Sequence, residues 1–347
     1  MEGEITVSAV TAPTPALLIR LKPTGPWRMG PDSGSRDRVD RILHSDSLYS
    51  ALTLAMVQLG FADEWLAATA GQSNKPEVCI SSVFPFQGDR FYVVPPQHLW
   101  PPSSLHSSRV RWKGAKFVPL AVVRSLTAGK TLADDAWTVD PVSECLLPQG
   151  QGSGPFRTAL RSSAAIDRTG LGAASHTTAC LEFAPGAGLW FVAAFSGNDG
   201  RRNWSSRVQA ALRLLADTGL GGERSRGWGR FELEPVEDRP LHQLLNIGSV
   251  NADQAQGHWL LSLFQPSQSD AVDWGQGHYS LVTRSGRAEG SRDWLKKPAR
   301  MVAEGSVLVA DGQLTGSAEN VAPEGFAHPV YRAGFAVSIP VPLRPIS

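Results

Sequence analysis

The chain has 347 residues, of which 42% are hydrophobic and 19% charged, with 33 basic against 32 acidic side chains and a formal net charge of +1. This length favours two domains, and the composition is that of an ordinary globular protein. The near-neutral charge excludes a long nucleic-acid-binding surface used unaided, so any nucleic-acid contact must be local or shared with partners.

A strand, a loop and a helix are predicted first. The run ALLIRLKP, Ala16–Pro23, predicts a strand, and a loop rich in glycine, proline and charge follows it. The segment HSDSLYSALTLAMVQLG then repeats its apolar residues at helical spacing. It predicts a helix with Ser45 or Asp46 as its N-terminal cap and Gly60 at its end.

The middle of the chain alternates strand-like and irregular segments. VCISSVFPFQGDRFYVVPP predicts two strands joined at Gly88, and RVRWKGAKFVPL has alternating, strand-like character with a basic face. Residues 149–175 are rich in glycine and serine without a period, which predicts a long mobile excursion. LWFVAAF (Leu189–Phe195) predicts a buried strand, and a helix with one apolar face from Trp204 to Leu215 follows.

The order strand, helix, strand pair, strand, helix and the strand FELEPV predicts a βαββαβ ferredoxin-like unit with large insertions. EDRPLHQLLNIGSVNADQAQG then reads as a linker. The runs HWLLSLF, YSLVTRSG, MVAEGSVLVA and VYRAGFAVSI predict a strand-rich second domain, the last alternating from Tyr331 to Ile339. We therefore expect an α+β fold with domains at residues 1–238 and 239–347.

The cysteines and the apolar runs bear on metal and membrane. The three cysteines, Cys79, Cys145 and Cys180, lie far apart and form no CxxC pair, which argues against a disulfide scaffold or a zinc site. The N-terminus is acidic where a signal peptide would be basic, and no apolar run approaches the ~20 residues that span a bilayer. We expect a cytoplasmic protein with no metal, no cofactor and no membrane contact.

The stretch GGERSRGWGRF, Gly221–Phe231, combines four glycines and three arginines between a predicted helix and a predicted strand. A helix C-cap explains one glycine, whereas four allow a close backbone approach and N–H groups that bind anions. Arginines match phosphate, and Trp228 either stacks on a base or packs beneath the loop. The order helix–loop–strand and the missing Gly-Lys-Ser/Thr exclude a dinucleotide fingerprint and a Walker A loop.

Together these features resemble the RAMP superfamily, RNA-binding proteins of CRISPR systems that carry a Gly-rich loop after the second helix of a ferredoxin-like domain. Within it, the chain is most similar to the family of subunit four of the type III-A effector, the Csm complex. The resemblance covers most of the chain, through GPWRMG, HSDSLYSAL, SSVFPFQGDRFYVVPP, RWKGAKFVPL, IDR, GLGGERSRGWGRF, YSLVTRSGR, EGS and PVYRAGFAVSIPV.

The resemblance implies two ferredoxin-like (RRM-like) domains and a protein that is not an enzyme. Such a subunit holds the 5′ tag of the CRISPR RNA (crRNA) near the target RNA. It joins the large polymerase-like subunit to the backbone RAMP subunit of the Csm complex in antiviral defence. Arg28 stands where the family often has histidine, and it would suit a phosphate. The implied RNA-binding residues are Lys22, Arg28, His44, Ser45, Asp167, Arg168, Gly221, Gly222, Arg224, Ser225, Arg226, Gly227, Trp228, Gly229 and Arg230.

Two enzyme classes remain as alternatives. A RAMP endoribonuclease that processes crRNA precursor could use His44 as a base, although a single histidine outside a visible constellation is more often structural. Its Gly-rich loop would typically lie near the C-terminus. A metabolic nucleotide-binding enzyme is disfavoured by the loop order.

Two charged segments have both a functional and a structural interpretation. An acidic group lies where backbone subunits of type III complexes carry a target-cleaving aspartate, but a solvated charged loop is the simpler interpretation. A basic edge surrounds Trp112, for which RNA contact and a plain exposed strand are equally favoured. The acidic residues are Asp32, Asp37 and Asp40, and the basic ones are Arg109, Arg111, Lys113 and Lys116.

Overall fold

The computed structural model describes residues 13–30, 34–71, 75–102, 110–166, 172–247, 256–288 and 294–343. Within these ranges the fold is α+β, with several antiparallel sheets and few helices. The helices are α1 (Ser45–Gln58), α2 (Ala62–Thr69), α3 (Leu120–Thr127), α4 (Gly197–Thr218) and α5 (Leu241–Leu245).

The strands fall into two series. The first series is β1 (Pro15–Pro23), β2 (Val78–Ile80), β3 (Phe84–Gln87), β4 (Arg90–Val93), β5 (Val118–Pro119), β6 (Trp137–Val139), β7 (Leu146–Pro148), β8 (Phe156–Ile166), β9 (Ala173–Phe183), β10 (Ala187–Phe195), β11 (Phe231–Leu233) and β12 (Glu237–Pro240). The second series is β13 (Gln256–Leu260), β14 (Val272–His278), β15 (Leu281–Arg284), β16 (Ala299–Val302), β17 (Val307–Ala310), β18 (Gly316–Asn320), β19 (Tyr331–Phe335) and β20 (Ser338–Pro342).

An antiparallel sheet organises the first series. Its strand order is β11-β1-β10-β3-β4-β5, with β2 also paired to β10 and β12 to β1. All nine residues of β10 are buried, as expected for a strand whose sequence, AGLWFVAAF, is apolar on both faces. Along the chain, β1, α1, the pair β3 and β4 joined at Gly88, β10, α4 and β11 follow the strand and helix order expected from the sequence.

Helix α4 covers this sheet. It packs on β1, β10 and β11 and against α1. Its apolar face was correctly predicted, because apolar residues at helical spacing point to one side of a helix. The predicted face residues that it buries are Trp204, Val208, Ala211, Leu212 and Leu215.

The predicted cap of α1 was wrong. The N-cap residue is His44, and no side chain makes a capping hydrogen bond there. The hydroxyl of Ser45 instead accepts a hydrogen bond of 3.0 Å from the backbone N–H of Leu263, 218 positions away. The Asp46 carboxylate forms ion pairs with arginines from the second strand series. Long-range partners therefore replace the local cap.

Two segments of the insertions also differ from expectation. Much of the supposed mobile excursion at 149–175 belongs to a regular antiparallel hairpin of β8 and β9, paired from Phe156↔Phe183 to Ile166↔Ala173. In RVRWKGAKFVPL, residues 110–112 are helical, and only Val118–Pro119 form a strand. Both predictions relied on the local sequence pattern. These segments are partly exposed, and in such segments the periodic spacing of apolar residues is weak.

The predictions of a linker and of one continuous last strand were only partly right. Part of EDRPLHQLLNIGSVNADQAQG forms β12 and α5, and β12 pairs with β1 in the central sheet. VYRAGFAVSI contributes two strands instead of one continuous alternating strand: β19 pairs with β18 and β20 pairs with β13. Within 256–288 and 294–343 the described residues form strands and no helix.

One large hydrophobic core joins the two strand series. It contains residues of β1, β10, α1 and α4 together with Trp259 of β13 and Ile339 of β20. Several tryptophans belong to it, and Trp259 donates its Nε1–H to the carbonyl of Val94 at 3.1 Å. Most of the tryptophan bias noted in the sequence therefore serves packing.

Candidate nucleic-acid interface

The glycine–arginine loop (Gly221–Arg230) connects α4 to β11. Helix α4 ends at Thr218, and Gly219 leaves it with φ of 85°. A single 3₁₀ turn at Arg224–Arg226 is flanked by Glu223 and Gly227, both in the left-handed region at φ of 60° and 79°. These reversals fold the loop tightly against the chain that follows β1.

Two of the glycines are required by internal backbone contacts. A Cβ at Gly221 would collide with the carbonyl oxygen of Arg28, and one at Gly229 would collide with that of Leu220. Both residues also have positive φ, at 84° and 77°. At Gly227, by contrast, a Cβ would meet no atom within 4 Å. The packing of the loop therefore explains Gly221 and Gly229 without a ligand.

The glycine N–H groups mostly bind the chain itself. Gly222 donates to the carbonyl of Arg28 at 2.8 Å, Gly229 to that of Pro26 at 2.9 Å, and Gly227 closes the 3₁₀ turn on Arg224 at 2.9 Å. The expectation that these three N–H groups are available to a phosphate is therefore wrong. The loop is a rigid platform, and its side chains must supply an anion contact.

The side chains of the loop form an exposed cationic surface. Arg224, Arg226 and Arg230 are exposed, and Glu223 is the sole acid among residues 221–230. Arg226 lies 3.2 Å from the Glu223 carboxylate through its Nε. Ser225 is exposed at the tip of the turn, and Trp228 is half-buried. Three exposed guanidinium groups on a fixed backbone are suited to successive phosphates.

The β8–β9 hairpin lies beside this loop. Arg226 donates from one guanidinium nitrogen to the hydroxyl of Ser163 on β8, at 3.1 Å, and its other nitrogen lies 3.5 Å from His176 of β9. The candidate residues Asp167 and Arg168 fall between these strands, outside the described residues. The hairpin and the loop thus form one continuous edge.

Lys22 and Arg28 occupy different environments. Lys22 is exposed on β1 and pairs with Glu232 of β11 at 3.0 Å. Arg28 is buried, and its guanidinium donates to four backbone carbonyls, those of Ser35 (2.7 Å), Arg36 (3.0 Å), Arg38 (3.2 Å) and Ala179 (2.9 Å). The expectation that Arg28 contacts a phosphate is not met in this arrangement, because its donors already hold the loop after β1 against β9.

His44 lies between two carboxylates. Its Nδ1 is 2.8 Å from Glu304, and its Nε2 is 3.3 Å from Asp40. Burial by itself lowers the pKa of His44, but the carboxylates outweigh it and raise that pKa to about 9. The ring is therefore protonated at neutral pH and unsuited to act as a general base.

Asp46 makes the second half of this buried polar cluster. Its carboxylate accepts from Arg284 at 3.1 and 3.2 Å and from Arg332, both of them buried. Although burial raises its pKa, the two guanidinium groups hold it below the ordinary value. The HSD sequence at the start of α1 therefore ties the first strand series to the second.

The sequence did not indicate this cluster, although its members were visible in separate motifs. Glu304 belongs to EGS, Arg284 to YSLVTRSGR and Arg332 to PVYRAGFAVSIPV, the segments that carry the family resemblance. The available signal was a set of charged residues inside apolar strands, since a charge in such a strand must find a partner.

The remaining charged candidates have structural surroundings. Asp40 contacts His44, and Asp37 accepts from Ser35, while Asp32 lies outside the described residues. Trp112 is buried and stacks on Trp100 at 5.8 Å, which favours packing for it. Arg111 and Lys113 are exposed, Lys116 lies 3.8 Å from Asp40, and Arg109 lies outside the described residues.

In the part of the chain that the structure describes, no helix is both long and apolar enough to cross a membrane. Nor do three His, Cys, Asp or Glu side chains group there as a metal ion would need.

Comparison with known proteins identifies similar proteins over most of the chain. A family model for the CRISPR Csm4 C-terminal domain matches residues 253–341. The CRISPR system Cms protein Csm4 of Streptococcus thermophilus is 24% identical over 312 residues, which is 86% of this chain and 90% of that protein.

Solved structures share the fold. The Csm3-Csm4 subcomplex of the type III-A CRISPR-Cas interference complex contains a chain 15% identical to this one, with a TM-score of 0.63, and the match covers 95% of this chain and 100% of that one. A Csm1-Csm4 cassette in complex with cA4 contains a chain 18% identical, with a TM-score of 0.59, and the match covers 95% and 99%. With the family model and the relative above, these findings show that the chain is similar to Csm4 proteins of CRISPR systems over most of its length and shares their fold.

Proposed function

We propose that this chain is the non-catalytic crRNA-binding subunit of a type III-A CRISPR interference complex, where it holds the 5′ tag of the crRNA in antiviral defence. The observation that carries the RNA contact is the glycine–arginine loop, whose three exposed arginines stand on a backbone fixed by its own glycines. A rigid row of guanidinium groups positions an RNA backbone without reading its sequence.

The proposed contact surface is local. It comprises the loop side chains, Lys22 on β1 and the edge of the β8–β9 hairpin. Asp167 and Arg168, which follow β8 in the sequence and lie outside the described residues, stay predicted contacts. Arg28 and Ser45 support this surface from within the fold, and His44 does the same through Glu304 and Asp40. A local surface agrees with a net charge of +1, since partners share the neutralisation of the RNA.

The absence of catalysis is part of the proposal. The candidate base His44 is protonated and bonded at both ring nitrogens. The two acids beside it, Glu304 and Asp40, are both hydrogen-bonded to that same ring. The alternative, a RAMP endoribonuclease that processes crRNA precursor, needs a neutral imidazole exposed to RNA, and the cluster disfavours it.

The partners follow from the relatives. Solved Csm4 chains form a cassette with Csm1 and a subcomplex with Csm3. We infer that this chain bridges the large polymerase-like subunit and the backbone RAMP subunit in the same manner, in the cytoplasm. We also propose domains at 1–238 and 239–347, the first a ferredoxin-like unit. The second ferredoxin-like unit stays a prediction, since the strands described at 256–288 and 294–343 come without helices between them.

Co-expression with the Csm1-type and Csm3-type subunits and a crRNA tests this function. Size exclusion should yield one assembly, and photocrosslinking from the 5′ tag should label the peptide that carries residues 221–230. Elution of this chain as a free monomer beside those subunits would contradict the bridging role. Crosslinks confined to other subunits would contradict the RNA contact.

A further inference from the structure

An exposed aromatic group stands on the second strand series. Trp274 of β14, Tyr279 and Leu281 of β15 are 40%, 37% and 45% exposed, and they lie close together in the chain. The rings of Trp274 and Tyr279 meet edge to face with their centroids 5.2 Å apart. We call these three side chains the aromatic knob. Large apolar side chains that are grouped on a surface mark an interaction site.

The knob stands on a bulge with a fixed shape. β14 and β17 pair on both sides of residues 274–277, so these four residues lie opposite one residue of β17. The Asp273 carboxylate closes the bulge, because it accepts hydrogen bonds from the N–H of Gly275 at 2.9 Å and from the side-chain amide of Gln276 at 2.7 Å. A bulge aims the side chain that it carries away from the regular strand.

Ser280 anchors the chain directly after Tyr279. Its N–H donates to the hydroxyl of Ser306 at 3.2 Å, and its carbonyl accepts from the N–H of Ala303 at 2.9 Å. Its hydroxyl accepts from the side-chain amide of Gln97 at 2.9 Å. Groups that are held in place before binding lose little conformational freedom when a partner binds.

The knob is suited to docking through side chains. Among the described strands, β14 is at the edge of the sheet with the order β14-β17-β13-β20. A regular edge strand can accept a further strand, whereas a bulge interrupts its row of N–H and C=O groups. A partner therefore binds the aromatic side chains instead of extending the sheet.

The charges in the adjoining sequence favour a protein partner over RNA. Segments 266–283 and 305–318, which contain the knob and β17, carry three carboxylates and neither lysine nor arginine. Two of these acids, Asp273 and Asp311, are exposed, while Arg300 on the paired strand β16 lies two positions in register beyond the knob. RNA binding needs cations for the phosphates. A second copy of this chain would bring the same carboxylates across a two-fold contact, where like charges repel.

The knob and the glycine–arginine loop lie toward opposite ends of the central sheet. Gln97, which binds Ser280, follows β4, whereas the loop leads into β11. In the strand order β11-β1-β10-β3-β4-β5, these two strands are four positions apart. That separation is roughly 19 Å, at about 4.8 Å for each strand. A partner on the knob is therefore separate from one that shares the RNA at the loop.

We propose that the aromatic knob anchors the large, Csm1-type subunit by entering an apolar pocket that basic side chains surround. The choice of subunit rests on the proposed function. There, the backbone subunit is a RAMP protein and belongs with the RNA on the side of the loop, so the large subunit is the partner at the other end. Tryptophan and tyrosine at the centre of such contacts contribute most of the binding energy.

The test measures the affinity of the full chain for the Csm1-type and Csm3-type subunits separately, by titration. The variant is Trp274→Ser with Leu281→Ser. Its control is Trp294→Ser with Leu295→Ser, a second tryptophan and leucine that are 39% and 62% exposed. The control tryptophan also meets another ring edge to face, that of Phe326. Chemical denaturation checks the folding of both variants, and binding of a single-stranded RNA with the 5′ end of the crRNA and the oligomeric state are measured alongside.

We expect the knob variant to bind the Csm1-type subunit roughly thirtyfold more weakly, since the loss of a central anchor has at least that effect. The control variant should bind it like the wild type, and both should bind the Csm3-type subunit normally. A second variant leaves the knob intact: Asp311→Lys should slow association with the Csm1-type subunit, whereas Glu324→Lys, at another exposed acid, should not.

Equal affinities of the knob and control variants for the Csm1-type subunit would overturn the inference. A loss confined to the Csm3-type subunit, to RNA or to self-association would overturn it as well. If the wild-type chain binds neither subunit, the proposed bridging function fails. If the wild type binds both and the knob variant binds the Csm1-type subunit equally well, the function stands and the inference alone fails.

Discussion

His44 is held as an imidazolium by Glu304 and Asp40, and this determines how it contributes to stability. Its folded pKa of about 9 exceeds the ordinary value of 6.5. A raised pKa stabilises the folded state fully below pH 6.5, and the stabilisation is lost as the pH rises through 9. The shift corresponds to roughly 3 kcal/mol.

We therefore expect His44→Gln to lower the free energy of unfolding by up to about 3 kcal/mol near pH 6.5 and by little above pH 9. Urea denaturation of both proteins at several pH values measures this difference. His242→Gln, at an exposed position on α5, should show no such trend. If the free energy lost in His44→Gln instead grows with pH, the His44 ring is neutral in the folded protein.

The two glycines at the end of the loop give a matched pair of substitutions. Gly227 and Gly229 have nearly equal φ, 79° and 77°, so alanine meets similar backbone strain at each. That strain is about 1–2 kcal/mol. Gly229→Ala should cost more than Gly227→Ala, because its Cβ would also collide with the carbonyl of Leu220. Chemical denaturation compares them, and equal costs would contradict the packing described for Gly229.

At the scale of elements, the sequence pattern predicts those helices and strands whose apolar residues are buried in the core. The apolar face of α4 follows from the helical spacing of its apolar residues, and the buried strand at Leu189–Phe195 follows from an unbroken apolar run. The β8–β9 hairpin lacks such a signal, since residues such as Leu160 and Arg161 are exposed on it. Its regularity comes from backbone pairing between the two strands, which no side-chain period reports.

The candidate site was also only partly predicted, because sequence pattern reports local features and not contacts between distant residues. The arginines of the loop are a local signal, and the structure leaves them exposed. The roles of Arg28, Ser45 and Asp46 depend on distant partners: Arg284 lies 238 positions from Asp46 and Arg332 lies 286 positions from it. No local pattern encodes such pairs. The glycines were assigned to a ligand although the chain's own backbone requires Gly221 and Gly229.

The start of α1 is the element that joins the two strand series, and Asp46 is its main tie. Asp46→Asn removes the carboxylate that pairs with both buried arginines, Arg284 and Arg332, and we expect a loss of about 3–5 kcal/mol in the free energy of unfolding. Asp199→Asn provides the control, because Asp199 pairs with Arg202 at an exposed surface and should cost less than about 1 kcal/mol. Chemical denaturation measures both variants. Similar losses for Asp46→Asn and Asp199→Asn would show that the Asp46 ion pairs do not hold the two strand series together.

At the scale of the molecule, a shared core and a buried ion cluster connect the two strand series. On a protein of net charge +1, the glycine–arginine loop presents three exposed arginines within one turn. Such a distribution suits a subunit that binds RNA over a short length while partners bind the rest.

A salt titration of crRNA affinity tests the RNA contact of the glycine–arginine loop most directly. Arg224, Arg226 and Arg230 are changed to glutamine within the assembly, and a control removes the same charge at the exposed residues Arg202, Arg213 and Arg239. We expect the loop variant to bind more weakly, with unchanged sequence preference. Its slope of log K against log salt should be shallower by about 0.7 for each phosphate that the variant no longer neutralises. Affinity and slope equal to those of the wild type would show that the loop is only a structural turn.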